Sequence, residues 1–144
     1  MRVSESSHVE REDEVVRRIE KRALDFQGWR GDDTVMEHPT IQRYEVDVFY
    51  NYHYDWDPTM TKANRVTTFN IYLAGDYTRG GTNSPYLSPP KDTRWCDVIE
   101  CDEAGKDGYQ GVVVKPIARS AIYWENLQFT QTVPHIKECA MLAF

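Results

Sequence analysis

Apolar and polar positions recur with two different periods along this chain, and the change falls near residue 40. Upstream, "SHVEREDEVVRRIEKRALDF" (residues 7–26) places Val15, Val16, Ile19, Ala23 and Leu24 at helical spacing with charges between them. That stripe predicts an amphipathic helix packed on a sheet, its charges forming a solvated face. Ser7 with Glu10 reads as a capping box, and Gly28 as the stop. Downstream, "IQRYEVDVFYNYHYD" is β-branched and aromatic and reads as strand. In "RVTTFNIYLA", Phe69, Ile71 and Leu73 alternate with Thr68, Asn70 and Tyr72, the period of a half-buried strand. Residues 75–110 are loop-rich, with Gly80-Gly81, Pro85, Pro89-Pro90 and Gly105. "GVVVKPIA" and "SAIYWENL" are two further strands joined by a short turn. One helix followed by many short strands predicts a mainly β, α+β architecture: a β-sandwich or jelly roll with a helix on one face.

The length, 144 residues, suits one domain, and 40% hydrophobic with 12% aromatic content suits a packed core. The net charge of -6 and pI of about 5.2 set the chain against phosphate backbones, so nucleic acid is not an expected partner. No apolar run is long enough to cross a bilayer, and "MRVSESSHVEREDE" has no apolar signal-peptide core. As written, the chain reads as soluble and intracellular, with the endoplasmic reticulum open for a longer parent. Cys96, Cys101 and Cys139 are too few for a disulfide scaffold and lack a zinc-finger spacing. Cys96 and Cys101 read as free thiols, with a single bridge as the alternative in an oxidising compartment.

The chemistry concentrates in "YNYHYDWDP", residues 50–58. On a strand, residues two apart point to one side, which places His53 with Asp55. An imidazole and a carboxylate joined by a second histidine from a distant strand form the 2-His-1-carboxylate facial triad of non-haem iron enzymes, which leaves positions open for oxygen and a co-substrate. Alone, H-x-D arises by chance in many chains.

Its context is more specific. Tyr44 precedes His53-Asp55 by nine residues. Arg65, Thr68 and Tyr72-Leu73 then form R-x-x-T-x-x-x-Y-L, Gly80-Gly81-Thr82 stand against a G-G-x-T segment, and Lys115-Pro116 and Trp124-Asn126 follow. In this order the series resembles the Fe(II)/2-oxoglutarate dioxygenases of the prolyl 4-hydroxylase family, most closely the fungal members, over residues 2–128. The resemblance implies a double-stranded β-helix, iron held by His53 and Asp55, and a 2-oxoglutarate pocket lined by Tyr44 and Thr82. It implies conversion of 2-oxoglutarate to succinate and carbon dioxide with hydroxylation of a substrate carbon, classically a prolyl ring in a protein or peptide, supported by ascorbate. Beside it, the plain structural readings are sheet packing for Thr68 and Tyr72, a strand-end charge for Arg65, core for Trp124, and surface for His8 and His38.

The chain departs from the family at four places. Ser84 stands where an aromatic is usual, Arg79 where fungal members have glycine, and Arg119 where a turn between two strands has glycine. A positive φ at that turn costs a bulky residue about 1 kcal/mol. After Trp124-Asn126 the family carries its third iron ligand and a basic partner for the far carboxylate of 2-oxoglutarate. Here His135 is the only downstream histidine, and Lys137 follows too closely to be that partner. His135 is therefore the candidate third metal ligand. The chain, residues 1–144, reads as a single, partial dioxygenase domain with an altered end. The expectation is exposed sheet edges, a reduced core, weak iron binding and slow turnover or none. The competing expectation is a non-catalytic relic or binding module of the same fold.

Overall fold

The computed structural model describes residues 4–27, 35–46, 48–60, 62–74, 80–101 and 111–126, and the backbone alone at 128–130 and 133–135. Among these residues the protein is mostly β: antiparallel two-stranded ladders and one α-helix. Strand β1 (Glu5–His8) pairs with β2 (Thr40–Arg43), and helix α1 (Glu14–Phe26) lies between them in the chain.

The helix begins later than the charge pattern suggests. Ser7 is held in β1 opposite Ile41, so it cannot cap a helix. Asp13 caps instead, its carboxylate accepting from the Val15 N–H at 2.7 Å and the Val16 N–H at 3.4 Å. The buried stripe is also narrower than expected. Val16 and Ala23 are buried, whereas Val15 is 53% exposed and Leu24 38%. At its C-terminal end α1 meets the central ladder through Phe26, which stays 63% exposed, and through Gln27. The Phe26 ring meets Phe69 and Tyr123 edge-on at 5.6 and 5.2 Å, and buried Gln27 accepts from the Thr67 hydroxyl at 2.6 Å.

Those contacts orient the central ladder, β3 (Thr67–Ile71) with β6 (Ala121–Glu125). Directly opposed residues share a face. Thr67, Phe69 and Ile71 therefore lie with Glu125, Tyr123 and Ala121 towards α1. Thr68 and Asn70 lie with Trp124 and Ile122 on the other face. The alternation of β3 is as expected, but the face that is fully buried is the polar one: Thr68 is 3% exposed and Asn70 7%, while Leu73 is 60% exposed.

A second ladder joins β4 (Thr82–Ser84) to β5 (Val112–Val114). Gly80 takes a φ of 104°, and a Cβ at Gly81 would sit 2.6 Å from the Val114 carbonyl oxygen, so the paired glycines turn the chain and let β4 close on β5. Residues 98–100 add to the free edge of β5: the Glu100 N–H donates to Val113 and the Lys115 N–H to Val98, both at 2.9 Å. A disulfide between Cys96 and Cys101 encloses this segment, with Cα atoms 5.4 Å apart. The two cysteines are thus not free thiols; pairing of residues 98–100 with β5 folds their flanks together. Beyond β6, β7 (Gln128–Thr130) and β8 (Val133–His135) form a hairpin.

"GVVVKPIA" and "SAIYWENL" both contain strands, as expected, but these pair with different partners. The turn between them carries Arg119 at φ 69°, where the Arg119 N–H donates to the Tyr72 carbonyl at 2.7 Å. The buried apolar residues among those described are Val16, Ala23, Pro39 and Ile99, against seven buried polar ones. The interior around the central ladder is accordingly built on hydrogen bonds more than on apolar packing. No helix among the described residues is long and apolar enough to cross a membrane.

Two stability measurements test this fold. Val16→Asp forces a carboxylate into the seam between α1 and the rest, and is expected to cost about 2–4 kcal/mol in urea unfolding; an unchanged midpoint would show that the helix does not pack through Val16. Arg119→Gly relieves a left-handed backbone and is expected to raise stability by about 1 kcal/mol, while loss of stability would mean that the arginine side chain contributes more than the strain.

Candidate metal centre

The segment carrying His53 and Asp55 is not the strand its composition predicts. Regular β2 ends at Arg43, and residues 51–54 carry no regular secondary structure. A turn sets their position instead. The Asp57 carboxylate accepts from the Thr59 N–H at 2.8 Å and its hydroxyl at 2.6 Å, and the Met60 N–H closes on the Asp57 carbonyl at 3.1 Å. Pro58 presets the next φ. The Asn64 amide ties the return of the chain to Asp57, accepting from its N–H at 3.0 Å and donating to its carbonyl at 2.5 Å. The reversal lays Asp55 against β3. From the other side, Asn83 of β4 donates to the Tyr52 hydroxyl at 2.7 Å.

Within this frame the expected pair does meet. His53 Nε2 lies 3.4 Å from Asp55 Oδ1, with the two side chains 23% and 8% exposed. His53 Nδ1 is 2.8 Å from the Asn51 carbonyl oxygen. A carbonyl only accepts, so Nδ1 carries the proton and the neutral ring presents its lone pair at Nε2, towards Asp55. Tyr50 covers the imidazole, ring centroids 3.9 Å apart.

Asp55 is itself held. Its Oδ2 accepts from the Thr68 hydroxyl at 2.8 Å. Thr68 in turn accepts from Asn126 Nδ2 at 3.1 Å, and the same amide nitrogen donates to the Arg65 carbonyl at 3.0 Å. Thr68 and Asn126 are 3% and 2% exposed. Thr68, expected to serve sheet packing, is thus the polar contact of the candidate ligand. The signal lay in its place in R-x-x-T and in the alternation of β3, which assigns Thr68 and Asn70 to one face without saying that this face is the inner one. Arg65 is more than a strand-end charge: it pairs bidentately with Glu37, both contacts at 2.8 Å. The hydrogen bond to Glu37 raises its pKa against the opposing effect of burial.

Tyr44 and Thr82, expected from the resemblance to line a co-substrate pocket, each meet a partner other than His53 and Asp55. The Tyr44 hydroxyl, just beyond β2, donates to Gln42 Oε1 at 2.6 Å. Thr82 is 1% exposed, and its hydroxyl lies 2.6 Å from that of Tyr72, so Tyr72 has a polar contact as well as a sheet position. Trp124, opposite Thr68 on the inner face, buries its indole N–H without a hydrogen-bond partner among the described residues. His135 pairs through its backbone with Gln128 in the terminal hairpin; its side chain lies outside the described residues, as do Arg79, Gly105, Lys137 and Cys139. His8 and His38 are exposed surface residues in edge-on contact.

Two donors each about 2.0–2.2 Å from a first-row metal, subtending roughly 90–110°, stand about 3.0–3.5 Å apart. The 3.4 Å separation of His53 Nε2 and Asp55 Oδ1 falls in that range, and Nε2 is the nitrogen left free by the Asn51 bond. These two residues fit a common metal. No group of three or more candidate ligands is found among the described residues, so the third donor must come from elsewhere in the chain or from a ligand.

Burial lowers the pKa of His53, but the hydrogen bonds to Asp55 and the Asn51 carbonyl, together with the Asp55 charge, outweigh it and leave the pKa raised. A raised pKa means that the imidazolium–carboxylate pair stabilises the fold fully below the unfolded histidine value, and that this contribution is lost as pH rises through the folded value. Metal binding has the opposite sign, because a metal needs the neutral ring. The stability advantage of metal-free wild type over His53→Gln should therefore shrink as pH rises through the His53 titration, while Mn(II) affinity grows. Parallel urea and calorimetric titrations check this, and an advantage that grows with pH would reverse the assignment of the pair.

No protein-family model, no curated protein and no solved structure matches this chain.

Proposed function

We propose that this chain is an Fe(II)- and 2-oxoglutarate-dependent dioxygenase domain of the prolyl 4-hydroxylase kind, built on a double-stranded β-helix and acting on a peptidyl proline or similar group. The observation that carries the reading is the His53–Asp55 pair, 3.4 Å apart with the imidazole held in the metal-ready tautomer. His53 Nε2 and Asp55 would hold the metal, with His135 the candidate for the third position. Iron bound there with 2-oxoglutarate would supply the oxygen chemistry, with succinate and carbon dioxide as co-products and ascorbate sustaining turnover.

The chain's own residues bind and orient. The Asn51 carbonyl fixes the ring of His53, and Thr68 fixes Asp55. Tyr44 and Thr82 are assigned to the co-substrate by resemblance. The unpartnered indole N–H of Trp124 adds a buried donor on the face of Thr68, suited to an anionic group such as a carboxylate. The Cys96–Cys101 disulfide fits an oxidising lumen such as the endoplasmic reticulum better than a reducing cytosol.

A second reading, a non-catalytic module of the same fold, is favoured by the same pair. His53 is already partnered by Asp55 and Asn51, and its raised pKa is what a simple ion pair produces. The two readings part in one experiment. Purified protein is incubated with Fe(II), ascorbate, 2-oxoglutarate and a proline-containing peptide, and succinate is measured beside Mn(II) affinity. The dioxygenase reading expects slow succinate release that His53→Ala abolishes, and Mn(II) binding that the same change weakens by about 10–100-fold or more. Absence of Mn(II) binding, or succinate release indifferent to His53, favours the non-catalytic module.

A further inference from the structure

We infer that Thr68 and Asn126 are positioning residues that make Asp55 a one-oxygen metal ligand; this rests on the metal-centre reading above. A carboxylate has two oxygens and can take a metal through one or both. Here the choice is made by the chain. Thr68 has a single hydroxyl proton, and the contact to Asp55 Oδ2, at 2.8 Å, is its shortest acceptor contact; that to Asn126 Oδ1 is 3.4 Å. The proton therefore goes to Asp55.

The Thr68 oxygen must then accept, and Asn126 Nδ2 supplies the proton at 3.1 Å while its second proton goes to the Arg65 carbonyl at 3.0 Å. The direction of every bond is thereby fixed from Asn126 through Thr68 to Asp55. Asn126 is in turn anchored by its own N–H on the Val66 carbonyl at 2.9 Å, across the end of the β3–β6 ladder. Oδ2 is occupied by a donor on a rigid strand, and Oδ1 remains facing His53 Nε2. A metal taken up by His53 and Oδ1 would meet Oδ2 only by breaking the Thr68 bond. One-oxygen binding leaves an additional coordination position for a bidentate co-substrate.

Two sets of measurements test this, one of them independent of any metal. In metal-free protein, a double-mutant cycle in urea compares wild type, Thr68→Val, Asp55→Ala and the double variant. The relay expects a coupling of about tenfold or more in the unfolding constant, since hydrogen bonds to charged groups are the strong ones. In Co(II)-loaded protein, Thr68→Val, which keeps the shape and removes the donor, should weaken affinity about 10–100-fold and alter the ligand-field absorption as Oδ2 joins the metal. Thr68→Ser, which keeps the donor, should preserve the wild-type spectrum and stay within about threefold in affinity.

Near-zero coupling in the cycle overturns the relay whether or not a metal binds. Equal Co(II) affinity and spectrum in wild type and Thr68→Val overturn the positioning role. If Thr68→Val does not fold, a Thr68→Ser spectrum unlike wild type overturns it, because a serine hydroxyl would then fail to replace the threonine one. Strong coupling in a wild type that binds no Co(II) leaves the hydrogen-bond relay standing and removes the metal reading on which the ligand role rests.

Discussion

The arrangement of this protein's centre depends on the hydroxyl of Thr68. It receives a proton from Asn126 and gives one to Asp55, all three side chains being largely withdrawn from water. A buried polar network of this kind tolerates no partial satisfaction, because each unmade bond in a low-dielectric surrounding costs the full desolvation of the group left over. The positions of β3, of the end of β6 and of the Asp57 turn are therefore linked. If any one moves, a buried donor or the Asp55 carboxylate loses its partner.

That requirement explains why the β3–β6 ladder has two unlike faces. Towards α1 it is aromatic: Phe69 and Tyr123 stack 4.8 Å apart and receive Phe26. These contacts join the ladder to the end of the helix edge-on, although the Phe26 ring itself stays 63% exposed. Away from α1 it is polar, and the bonds there are directional. Gln27 links the two regimes, since it ends the helix and accepts from Thr67, the neighbour of Thr68 in β3. The helix thereby fixes the level at which the polar face meets Asp55, although it touches none of the candidate ligands.

The periodicities were legible in the sequence; their orientation was not. The period-two alternation of Thr68, Asn70 and Tyr72 against Phe69 and Ile71 marks a strand, but assigning the apolar set to the interior assumes that water lies on the other side. Here Asp55 and Asn126 lie there instead. His53 and Asp55 can be paired from their spacing alone, yet no strand carries them among the described residues; the Asp57 turn and Asn64 do the same work, and an aromatic run masks turn chemistry of that kind. The capping box at Ser7 failed because strand pairing with Ile41 outcompetes a local cap, a tertiary contact that no window of sequence contains. The Cys96–Cys101 bridge is the alternative reading of the sequence and not the favoured one for a similar reason: five residues of separation do not reveal that the loop folds back on β5. Arg119 belongs with these. Its left-handed backbone lies in the turn between two strands with different partners, and nothing in its own residue type announces a positive φ.

The same ledger of donors and acceptors separates scaffold from surface offered to a ligand. Within the relay every proton has a destination: Asn126 uses both of its amide protons, Thr68 its one, and His53 commits Nδ1 to Asn51. Saturated groups hold their neighbours in place and have nothing left to give. On the same face Trp124 has a buried N–H with no acceptor among the described residues, while His53 Nε2 faces Asp55 Oδ1. Thr68 and Asn126 commit all of their side-chain protons within the network, so the strain of an unmet donor falls on Trp124 and not on the groups that hold Asp55.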